Sequence, residues 1–103
     1  MSTECRIRCR ARRGQFADEM LVRINAVAPD GGVTEVTSLA YAGSVETESR
    51  PDRTGECDAL VRAQSLGQKD DLVAVVLPQP TFQNGANVVV RRRDVVHDGK
   101  AQR

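Results

Sequence analysis

Aromatic side chains are nearly missing from this chain of 103 residues: Phe16, Tyr41 and Phe82 are the whole supply, and tryptophan is absent. Aromatic rings dominate recognition hot spots and base-stacking platforms. Their scarcity argues against a ring-lined peptide groove and against a reader of single-stranded nucleic acid, and it requires an aliphatic core. Lysine is just as rare, with Lys69 and Lys100 the only two, so arginine carries the positive charge. Basic and acidic residues nevertheless balance at 15 against 14, and overall charge directs the chain toward neither nucleic acid nor a membrane surface. The heavy use of arginine, alanine, valine and aspartate fits a GC-rich bacterial genome.

Long apolar runs are lacking as well. The opening MSTECRIRCRARR has no apolar h-region, and no stretch reaches the roughly 20 residues of a membrane span. The expectation is a cytoplasmic protein with no membrane partner. Cys5, Cys9 and Cys57 are odd in number and show no CxxC spacing. On one straight strand Cys5 and Cys9 would stand about 13 Å apart, beyond the roughly 7 Å a disulfide spans, so buried reduced thiols are expected. His97 is the only histidine. With no histidine pair, EF-hand loop or glycine-rich phosphate loop, neither a metal nor a cofactor is expected. A nucleophile–histidine pair would need His97 to fold back from the chain end. The adjacent carboxylates Asp18-Glu19 and Asp70-Asp71 sit in turns and cannot converge as acid and base. No catalytic residue is expected, and the chain does not read as an enzyme.

What is present is β-pattern. Residues 4–13 alternate Cys5, Ile7, Cys9 and Ala11 with Arg6, Arg8, Arg10 and Arg12, a period of two that only an extended strand sorts. Further strands are expected at about 20–28, 33–41, 58–66, 72–77 and 87–93. A short strand within 44–48 and a 3₁₀ turn at 93–96 are added to these. For 58–66 a helix capped by Asp58 is the alternative. Phe16 is expected to plug the mouth of the sheet. The 72–77 run, LVAVVL, is apolar on both faces and reads as central, with Pro78 and Pro80 ending it. Asn84-Gly85 marks the next turn. The polar stretch 43–56 reads as a solvated, mobile loop, and 97–103 as a frayed tail. No internal repeat is visible. The sum is one all-β domain over 4–96, a small antiparallel barrel of about six short strands, for which an SH3-like layout is one candidate.

The arginines are the only feature with functional character. Arg6, Arg8, Arg10 and Arg12 share one strand face at a spacing of about 6.5–7 Å, and by the same parity Arg91 and Arg93 share a face of the last strand. Closure of the barrel with first and last strands side by side would gather them into an anion-binding or nucleic-acid-binding patch, because the guanidinium fork suits phosphate. Against this, arginine on a wet face also covers apolar surface with its stem and guards a sheet edge, with Glu4, Asp94 or Asp98 near enough in sequence to neutralise it. The leading expectation is therefore a non-enzymatic module for protein interaction or self-association. Anion or nucleic-acid backbone binding by the arginine ladder is the alternative.

Overall fold

Alternation decides the longest strands. In β1 (Thr3–Arg13) Cys5, Ile7, Cys9 and Ala11 are buried, and the residues between them are half-buried or exposed. The computed structural model, which describes residues 3–82 and 85–97, is all-β over those residues. β2 (Glu19–Val27), β3 (Val33–Tyr41), β4 (Val45–Thr47), β5 (Cys57–Lys69), β6 (Leu72–Thr81), β7 (Gly85–Arg91) and β8 (Val95–His97) follow, with 3₁₀ turns Ala42–Ser44 and Arg92–Asp94 ahead of β4 and β8. All the pairings are antiparallel. β1, β2, β3, β6 and β5 close a five-stranded barrel, while β4 adds to β5, β7 to β6 and β8 to β1.

The interior is aliphatic, as a chain so poor in rings requires. Ile7, Val22, Ile24, Val36, Val61, Val73, Val75 and Val90 are each at most 2 % exposed. The 58–66 segment is strand rather than helix. Cys57, Ala59, Val61 and Ala63 point inward, and β5 pairs with β1 continuously from Cys57 opposite Ala11 to Ser65 opposite Thr3. β6 is central, between β5 and β7.

Several expectations are corrected. β6 does not stop at Pro78 but runs through Pro80 to Thr81. It leaves β5 after Val76 and meets β3 only at Thr81, so the prolines occupy a stretch where a missing N–H breaks no ladder. Phe16 is no plug: it is 65 % exposed. Its turn is closed by its own backbone, with the Gly14 amide donating to Glu19 and the Glu19 amide to Phe16, which keeps the ring outside the barrel. β8 takes in His97, one residue past the expected domain end. The Asn84 half of the expected Asn-Gly turn and the tail from 98 to 103 lie outside the described residues.

The two halves of the fold repeat one another, although the sequence shows no repeat. Three strands, a 3₁₀ turn and a three-residue strand occur twice in the same order. The first strands of the halves lie side by side with Ile7 opposite Val61. Val95 of β8 lies opposite Ile7, and Val45 of β4 opposite Val61. Each short strand thus crosses to the leading strand of the other half, so the halves interlock about an approximate two-fold near Ile7 and Val61. The repeat is one of burial, and aliphatic residues of similar volume substitute for one another at inward positions, so no residue pattern marks it.

Candidate interaction surface

The arginine ladder forms on β1 as its parity dictates, but it carries its own counter-ions. Arg6 pairs with Glu46 on β4. Arg10 reaches Asp58 at 2.9 Å, Asp52 at 2.5 Å and Glu56 at 3.6 Å. Its lateral neighbour Arg23 on β2 grips Glu56 with two nitrogens and Glu35 with the third, the Nε–Glu56 and Nη1–Glu35 bonds measuring 2.8 and 2.7 Å. Arg8 donates to the backbone carbonyl of Arg93 at 3.2 Å, and the Arg12 side chain has no partner among the described residues. Two like charges side by side would destabilise the sheet; here four carboxylates surround Arg10 and Arg23. Leu60, between Arg8 and Glu46 in the sheet, points outward yet is only 4 % exposed, covered by such long stems.

Arg91 and Arg93 do not join this row. Arg91 ends β7 opposite Leu72 and faces Asp71 at 3.4 Å, and Arg93 lies in the 3₁₀ turn rather than in a strand. Of the last two strands it is β8 and not β7 that pairs with β1, so only the Arg93 carbonyl meets the ladder. A hollow of about 180 Å³ between Arg8, Arg10, Arg23, Asn25, Glu35 and Asp94 brings three arginines together. There Arg10 and Arg23 already bond acids.

Except for Glu35 on β3, these acids come from the 43–56 stretch and its border at Asp58, which makes that stretch a clasp over the arginines. Asp52 accepts from the Thr54 amide at 2.9 Å, the Thr54 hydroxyl at 2.6 Å and the Glu56 amide at 3.2 Å. Bonds from Thr54, then the Glu56 amide and Arg10, hold its carboxyl down at about 2. Arg23 likewise lowers Glu56. The sign follows: a carboxyl whose value drops from 3.8 to about 2 on folding steadies the clasp fully above about pH 4 and loses that effect as pH falls toward 2. In an NMR titration the Thr54 and Glu56 amide signals move with a midpoint near 2. A midpoint near the ordinary 3.8 would mean that Asp52 does not hold the turn.

The three cysteines are buried and free. Burial, then Cys57 and Glu48, push the Cys9 thiol up to about 12, and burial raises Cys5, the reverse of an activated thiolate. No cluster of metal-ligating side chains occurs among the described residues, nor a helix long and apolar enough to cross a membrane. A groove of about 580 Å³ between residues 26–29 and 87–89 is lined without any titratable side chain.

The feature that sequence reasoning missed is apolar. All three aromatic residues stand in water: Phe16 at 65 %, Tyr41 at 57 % and Phe82 at 63 % exposure. Tyr41 faces outward at the end of β3, in register with Glu19, and Leu39 lies opposite Leu21. Across the β3–β6 seam, Ser38 meets Thr81, and the Phe82 amide donates to Thr37 at 2.8 Å. Pro80 and Phe82, which flank Thr81, are exposed. One outer face thus gathers Leu21, Leu39, Tyr41, Pro80 and Phe82. The Phe16 turn borders it, since the Ala42 amide bonds Asp18 at 2.8 Å. The available signal was the balance of supply: a core that fills with aliphatics leaves scarce rings free for another use. No family model, curated protein or solved structure matches this chain.

Proposed function

We propose that this chain is a non-enzymatic interaction or assembly module whose contact surface is the outer face of β2, β3 and the end of β6. One observation carries the reading: a chain with three aromatic residues keeps all of them exposed, two of them on one outer face beside Leu21, Leu39 and Pro80. Isolated surface hydrophobes are ordinary, but a contiguous apolar patch on a small domain marks a site of association. Aromatic residues are the side chains most enriched at such contacts. The reading is strengthened by the state of the ladder. Arg6, Arg10 and the neighbouring Arg23 are engaged by carboxylates, which an incoming phosphate would have to displace, and this makes anion or nucleic-acid binding the weaker alternative. Neither raised thiols nor the uncharged groove favours catalysis.

The test is photo-crosslinking in cells that express the full chain. A benzophenone amino acid in place of Phe82 yields a protein adduct, and the same probe at Gln68, on the exposed β5–β6 hairpin end, does not. Equal or absent adducts at the two positions would remove this face as the contact surface.

A further inference from the structure

We infer that the occupant of the apolar face is a second copy of this chain, docked about a two-fold axis that sets Arg12 of each copy against Glu19 of the other. The inference rests on the interaction reading above and adds the partner and the geometry. Arg12 is the lateral neighbour of Leu21 across the β1–β2 ladder. Glu19 stands two residues from Leu21 along β2, on the same face. Its place is set tightly, because a Cβ on Gly14 would come within 2.9 Å of the Glu19 Cβ, so only glycine fits beside it. Both charges therefore border the same apolar patch, one on each side of the corner at Leu21.

Neither side chain has a partner among the described residues, although the neighbouring arginines Arg10 and Arg23 are fully engaged. A rim with one free cation and one free anion is self-complementary, which is what an isologous contact requires. An axis lying over Leu21 and inclined at about 45° to the strands exchanges the Arg12 and Glu19 positions. It crosses the two sets of strands at about 90°, one of the two arrangements in which sheets pack face to face. Leu21 then meets its own counterpart on the axis. Leu21 and Leu39 on this face are already half-buried within the monomer, so little apolar area remains for the contact and the dimer is weak, with a dissociation constant on the order of 100 μM.

Sedimentation equilibrium of the full chain from about 10 μM to about 1 mM tests this. The mass rises toward twice that of the chain. Arg12→Glu and Glu19→Arg each weaken association about tenfold or more, and the double exchange restores it. Circular dichroism checks that every variant stays folded. A wild type that remains monomeric at about 1 mM, while the Phe82 probe still crosslinks another protein, overturns the second copy and leaves the interaction face standing. A dimer lost on Phe82→Ser yet unchanged by both charge substitutions overturns the Arg12–Glu19 pairing alone. A dimer indifferent to all three overturns the inference and the face together.

Discussion

Ile7→Ala lowers the free energy of unfolding by about 3–4 kcal/mol, a large part of the roughly 5–15 kcal/mol that keeps a domain of this size folded. Ile7 is wholly buried in β1. It lies opposite Val61 on β5 along one edge of the strand and opposite Val95 on β8 along the other. Because the strand is held on both sides, its backbone cannot sink into the space the truncated side chain leaves, and the cavity penalty adds to the lost transfer energy. Val61→Ala removes less volume and costs about 2 kcal/mol. The two residues touch across the approximate two-fold, so the double variant departs from additivity by about 0.5 kcal/mol or more. Urea denaturation followed by far-ultraviolet circular dichroism reads all three. A loss below about 1.5 kcal/mol for Ile7→Ala, with an unchanged denaturant slope, would mean that the meeting point of the halves is not the centre of the core.

The parts of the fold that were legible share one cause: a local pattern long enough to state which face is wet. Cys5 to Ala11 alternate over a full strand, the 33–41 strand is bounded by Asp30-Gly31-Gly32, and the apolar 72–77 run buries Val73, Val75 and Leu77 while Leu72, Ala74 and Val76 are half-buried. β8 has only three residues, too few for a period to show, and its place beside β1 depends on a partner some 90 positions away. The ladder illustrates the same boundary. Strand parity states that Arg10 points outward, but the carboxylates it meets, Asp52 and Asp58, stand more than 40 residues downstream, and only the closed barrel brings them across. Glu4, a near neighbour in sequence that looked like a counter-ion for the ladder, pairs instead with Arg62 at 3.0 Å. Phe16 was misplaced for a different reason. Hydrophobicity alone says that a ring prefers the core, whereas a tight backbone-closed turn and a core already filled by valine and isoleucine leave it no room. What composition could not convey is that two of the three exposed rings, Tyr41 and Phe82, share one outer face.

Ser38→Val opens the seam on which that face depends. β3 and β6 share a single ladder bridge, Ser38 opposite Thr81, and the Ser38 hydroxyl, on a residue only 2 % exposed, lies 3.1 Å from the carbonyl oxygen of Pro80 and 3.2 Å from those of Gln79 and Leu39. Pro78 and Pro80 offer no amide there, so the hydroxyl does for β6 what a regular ladder would otherwise do. The other half of the fold shows the consequence of lacking it. Ser38 pairs with Val22 and Val88 with Val75, which makes Val88 its counterpart in the repeat, and beside Val88 lies the open groove. Valine at 38 leaves these part-buried carbonyls without their donor and adds a methyl group to a closed site, a loss of about 2 kcal/mol. Ser38→Thr keeps the hydroxyl and costs less. The Phe82 amide, bonded to the Thr37 carbonyl across the same seam, reports the opening directly: its hydrogen exchange accelerates at least about tenfold in Ser38→Val, while the amides of β1 and β5 keep their relative order of protection. Pro80 and Phe82 ride on the segment that Ser38 holds, so under the proposed interaction reading the same buried change weakens association without altering any residue of the outer face. Exchange at Phe82 that stays at the wild-type rate in a folded Ser38→Val protein would show that the backbone bridge alone closes the barrel.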